Sequence, residues 1–142
     1  MPNVTFYLLI AEKYNAEQFA CRLVDNAWRQ GHVIHLHLRD EQHCSTMDQL
    51  LWQWREDSFI PHSIAGTTTE HADSPVTLGY RSPGLTHSQL VINLADDSPD
   101  FLHRFSRICE IVTQTPERLA LSREKFKHYR QAGLQPDVHK FT

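Results

Sequence analysis

An α/β fold, a mostly parallel sheet flanked by helices, is what this sequence predicts. Three observations carry it. Val4–Ile10 is β-branched and aromatic with little polarity, as in a strand buried on both faces. Amphipathic stretches alternate with further short apolar runs in a β-α-β-α order, which favours layered α/β packing. Gly31 sits just past the first helical pattern, where a left-handed C-cap belongs, and Gly133 stops the last one.

The elements follow in order. Asn15, with Gln18 three positions on, forms a capping-box signature for a helix carrying Phe19, Ala20, Leu23, Val24, Ala27 and Trp28. Val33–Leu38 reads as a second strand, and Asp40 caps a second helix running to about Trp54. Gly66–Ser74 is small and polar and reads as a surface loop. Val76–Tyr80 and Leu90–Leu94 are further strands, separated by the turn-forming Ser82-Pro83-Gly84. Ser98 reads as the N-cap, and Pro99 as the first residue, of a short helix through Phe101, Leu102 and Phe105. Ile108–Val112 is a returning strand. Thr115 and Pro116 open the last helix, and the tail after Pro136 reads as irregular.

With 142 residues, 40% of them hydrophobic and 22% charged, the chain has the size and mixture of one globular domain spanning 1–142. Its apolar runs fall well short of the roughly 20 residues a membrane span needs. The first residues lack the order of a signal peptide, since Val4–Ala11 runs straight into Glu12 and Lys13, so the cytoplasm is the expected location. Cys21, Cys44 and Cys109 are an odd set, better suited to reduced, packed thiols than to a disulfide framework. A net charge of -3 argues against wrapping nucleic acid by bulk electrostatics.

Enzyme signatures are weak. The first strand-to-helix turn reads IAEKYNAEQ, with no glycine to let a phosphate approach the backbone and with Glu12 to repel it. The topology is therefore expected to be Rossmann-like without a nucleotide-binding loop, and no cofactor is expected. His32, His35, His37, His43 and Cys44 cluster in sequence, and His35 and His37 share a strand face. Their spacing matches neither CxxC nor HExxH, so packed or solvated histidines are favoured over a metal site. Cys21 and Cys109 lie in apolar segments, where a thiol behaves as a small hydrophobe.

Two surfaces stand out. On the second helix, Met47, Leu50, Leu51 and Trp54 share an inward stripe, and Trp52 projects away from it. Either the following loop folds back over Trp52, or Trp52, Phe59 and Pro61 form an apolar patch for another protein. The last helix holds Arg118, Arg123, Lys125, Lys127 and Arg130 against Glu117 and Glu124 alone, a basic helix in an acidic chain. Arg123, Lys127 and Arg130 share a face with Phe126 at its edge. Either these charges are simply solvated over a core Phe126, or cation and ring together receive an acidic peptide with an apolar group.

The stretches TFYLL (Thr5–Leu9), AWRQGH (Ala27–His32), LLW (Leu50–Trp52), SFIPHSIAG (Ser58–Gly66), LVINL (Leu90–Leu94) and REKFKHYRQAG (Arg123–Gly133) resemble the chi subunit family of bacterial DNA polymerase III. The resemblance covers nearly the whole chain, weakening at Thr67–Gln89 and beyond Leu134. It implies a non-catalytic replication adaptor with a chi-like α/β domain at 1–142. Its implied partners are the psi subunit, leading to the clamp loader, the acidic C-terminal tail of single-stranded DNA-binding protein, and a repair-type helicase competing at the psi site. Nucleic acid is then met only indirectly. The tail-binding positions carry over to Arg123, Phe126 and Lys127, and the psi or helicase positions to Trp52, Phe59 and Pro61. Two departures are visible: Leu119 stands where the family has a lysine, leaving Arg118 as a neighbouring substitute, and Phe126 replaces a familiar tyrosine. The alternatives are a small histidine-rich metal-dependent enzyme and a direct binder of single-stranded DNA.

Overall fold

The structure is a computed structural model that describes residues 3–10, 15–54, 60–64, 75–81 and 89–141. The expected loop at Gly66–Ser74, the Ser82-Pro83-Gly84 turn and Phe59 lie outside the described residues. Seven strands form one sheet: β1 (Asn3–Leu9), β2 (Ile34–His37), β3 (His62–Ile64), β4 (Val76–Gly79), β5 (Leu90–Asn93), β6 (Arg107–Val112) and β7 (Asp137–Phe141). The order is β3-β4-β2-β5-β6-β1-β7, and every pairing is parallel. The helices are α1 (Ala16–Arg29), α2 (Glu41–Gln53) and α3 (Pro116–Gln131). This is the α/β architecture expected.

Alternation along the strands sorts the core into two layers. Ile34, Leu36, Leu90 and Ile92 pack with Ala20, Val24, Met47 and Leu51 beneath α1 and α2. Val4, Phe6, Val91 and Ile108 pack with Leu102, Phe105 and Tyr129 beneath α3 and its neighbouring turn. Residues two apart on a strand share a face, so each central strand feeds both layers.

The capping box of α1 is complete: Asn15 Oδ1 accepts from Gln18 N–H at 2.8 Å, and Gln18 Oε1 accepts from Asn15 N–H at 3.0 Å. Asp40 caps α2 by accepting from His43 N–H at 2.7 Å. Gly31 and Gly133 adopt φ of 86° and 90°, the left-handed conformation that ends α1 and α3.

Three expectations are corrected. Asp100–Arg104 is a 3-10 helix capped at Pro99, with no side-chain cap, so Ser98 is not its N-cap. Pro99 is extended (φ -60°, ψ 151°), and β6 begins three residues past the turn, which leaves room for one tight turn only. The tail is not irregular, because Asp137–Phe141 pairs in parallel with β1. His62, the last residue of the Ser58–His62 stretch read as loop, begins a strand, His62–Ile64, that pairs with β4. Both are short edge strands whose structure comes from a neighbour distant in sequence.

Candidate protein-binding surfaces

The orientation of α3 is set from below. Glu110, on β6, is 1% exposed and accepts from the Tyr129 hydroxyl at 2.6 Å, from Asn93 Nδ2 at 2.8 Å and from Lys125 Nζ at 3.0 Å. Lys125 also donates to the Ala95 carbonyl at 2.6 Å. Burial pushes the Glu110 carboxyl above its ordinary range, opposed by the Lys125 charge and by the three hydrogen bonds. Burial and the adjacent Glu110 also push the Tyr129 phenol up, so it stays a donor. Two α3 residues, Lys125 and Tyr129, thus converge on one buried carboxylate and fix the rotation of the helix.

That rotation decides which cations are available. Arg118 turns toward the β5 side and donates to Asp96 Oδ1 at 3.0 Å. Lys125 is consumed by Glu110. Arg123, Lys127 and Arg130 remain exposed, and among the described residues none of the three has an acidic partner. With Phe126 and Gln131 they line an open depression of about 390 Å³. Phe126 is half-buried, its ring 5.4 Å from that of Phe6, so the core holds the ring in place at the wall of the depression. Thr115 starts the helix by accepting from Arg118 N–H at 3.3 Å, with Pro116 in the first turn.

Three sequence-picked residues, Arg123, Phe126 and Lys127, are therefore brought together. Arg130 and Gln131 complete the depression, and the i+7 spacing of Arg130 from Arg123 was the signal for it. Leu119 packs against the α3-side core. Arg118 is turned away from the depression, toward Asp96.

The second surface lies on α2. Met47 and Leu51 are buried and Leu50 and Trp54 partly so, and Trp52 is 46% exposed. Its ring lies 4.3 Å from that of His62, at the start of β3, with the half-buried Pro61 adjacent in sequence. His62 Nδ1 is 2.7 Å from the Ile60 carbonyl, and its Nε2 lies 3.0 Å from Asp48 Oδ1, an ion pair whenever the imidazole is protonated. The chain after α2 thus returns a histidine against Trp52 and still leaves half the indole open. His62 closes the Ser58–His62 stretch that one of the two sequence readings folded back over Trp52, and its ring makes that contact.

The other groups weighed as chemical candidates are packed. Burial pushes Cys21 up to about 12, and Cys44 and Cys109 to about 11, so all three are thiols at neutral pH. His35 stacks on Phe105 with Nδ1 2.8 Å from Thr77 Oγ1, and His37 meets the edge of Phe101. His43 Nδ1 accepts from Arg39 N–H, which places its proton on Nε2, 3.2 Å from Glu17. Among the described residues no three His, Cys, Asp or Glu side chains come together as metal ligands. No described helix is long and apolar enough to cross a membrane. A larger cavity of about 520 Å³ lies beneath α1, lined by Tyr7, Leu23, Ala27, Arg107 and Cys109 among others, and none of the family-implied positions lines it.

Comparison with known proteins matches the chain to one family. The family model described as DNA polymerase III chi subunit, HolC, covers residues 1–137. A Pseudomonas aeruginosa protein named DNA polymerase III subunit chi is 40% identical over 141 residues, covering 99% of this chain and 97% of the relative. Proteins of the same name from Haemophilus influenzae and Escherichia coli are each 29% identical, covering 90% and 94% of this chain and 90% and 95% of their own lengths. The chain therefore belongs to the DNA polymerase III chi subunit family.

Proposed function

We propose that this protein is a non-catalytic accessory subunit of a bacterial DNA polymerase III holoenzyme, one cytoplasmic domain that joins two protein partners. The α3 depression takes the acidic C-terminal tail of single-stranded DNA-binding protein. The α2 surface, with Trp52, Phe59 and Pro61, takes the psi subunit or, in its place, a repair-type helicase. The observation that carries this reading is the depression itself, where Arg123 and Lys127, without acidic partners among the described residues, stand beside the half-buried Phe126 ring. A tail ending in phenylalanine offers a carboxylate to the cations and a ring to Phe126. The three thiols, held protonated by burial, are poor nucleophiles, which supports a non-catalytic role.

Fluorescence anisotropy with an aspartate-rich peptide ending in phenylalanine tests the α3 site. Arg123→Ala with Lys127→Ala removes two charged hydrogen-bond donors and lowers affinity by about tenfold or more. Unchanged affinity in that double variant sinks the assignment. Co-purification with psi tests the other surface, which Trp52→Ala weakens.

A further inference from the structure

The sheet ends at β7, whose outer edge has no neighbouring strand in the described sheet. A strand residue sends its N–H and C=O to the same side, and successive residues alternate. Ile10 N–H donates to the Phe141 carbonyl at 2.8 Å, so Asp137, His139 and Phe141 turn their amides toward β1. The main chain of Val138 and Lys140 therefore points outward. Their side chains share a face with Phe6 and Leu8, which stand in register with them, and that face is the one α3 covers.

The flank of α3 that overlooks this edge can be identified. Lys125 reaches Glu110 on β6, and Arg118 reaches Asp96 beyond β5, which marks one flank. Phe126, about 100° further round the helix, touches Phe6 on β1 and marks the opposite flank, toward β7. Arg123 and Arg130 lie next beyond Phe126 in the same sense. On the α3 face of the sheet edge lie the 51%-exposed Val138 and the exposed Lys140, on the side toward which the flank of α3 carrying Phe126, Arg123 and Arg130 is turned.

We infer that an extended acidic peptide adds to the open edge of β7 as an eighth strand, its main chain pairing with Val138 and Lys140. The inference rests on the tail-binding reading of α3 and extends it: the peptide's end sits in the depression, and the residues before it run along the sheet edge. Lys140 on the open edge selects an acidic strand and opposes any pairing with a second copy of the chain that sets the two Lys140 side chains opposite each other.

Hydrogen-deuterium exchange of the full chain, with and without the aspartate-rich peptide ending in phenylalanine, tests this. Bound peptide slows exchange at the Val138 and Lys140 amides by about tenfold or more, while His139 and Phe141 change little. Val138→Pro deletes an N–H that β1 does not use, a change an edge strand tolerates, and lowers peptide affinity about tenfold with thermal melting nearly unchanged. As a check independent of that variant, N-methylating the peptide at alternate residues weakens binding to the wild-type protein. Tight binding of the peptide with no added protection at Val138 and Lys140, or with N-methylated peptides bound as well as unmodified ones, overturns strand addition and leaves the α3 site standing. Failure of the unmodified peptide to bind wild type overturns both.

Discussion

Glu110 illustrates how one residue shapes a surface it never reaches. Removing a buried carboxylate leaves its partner cation uncompensated, which costs more than the pair itself contributes. Glu110→Ala is expected to destabilise the protein by about 3–5 kcal/mol in urea denaturation, because Lys125 and the Tyr129 hydroxyl lose their shared acceptor. His37 gives a pH signature. Burial lowers its pKa below the ordinary 6.5, opposed by Asp97. The folded state then binds this proton less readily than the unfolded chain, so the contribution of His37 is fully present above 6.5 and is lost as pH falls through the lowered value. Denaturation midpoints measured at pH 7.5 and 5.5 are expected to fall toward acid, and by less in His37→Phe.

At the scale of elements, local signals were readable and pairings were not. The capping box at Asn15 and Gln18 could be read because both partners lie within one turn, and Asn15→Ala is expected to cost about 1 kcal/mol, visible as a lower denaturation midpoint with unchanged slope. The same holds for the inward stripe of α2 and for the shared face of Arg123, Lys127 and Arg130. β3 and β7 were missed because three and five residues of mixed polarity become strands only when β4 and β1 offer them an edge. Arg118 and Lys125 were counted only among the cations of the basic helix, outside its shared face, and their pairing was not readable for a related reason. It depends on where Asp96 and Glu110 arrive, 22 and 15 residues away in sequence. The role of His62 against Trp52 depends in the same way on the return of the chain into β3.

For the whole molecule, the sheet separates the two surfaces. The α2 surface belongs to the layer near β3 and β4, while α3 covers the opposite face near β6 and β1. Two sites so placed share no side chains, and substitutions in them are expected to act independently: Trp52→Ala leaves tail-peptide affinity unchanged, and Lys127→Ala leaves psi binding unchanged. A bivalent adaptor needs this separation, since tethering strengthens both contacts only if they are made together. The most direct test is sedimentation velocity of the protein with psi and a fluorescent, aspartate-rich peptide ending in phenylalanine. The peptide is expected to co-sediment with the protein–psi complex, at the affinity it shows for the protein alone. Release of the peptide as psi is added would contradict it.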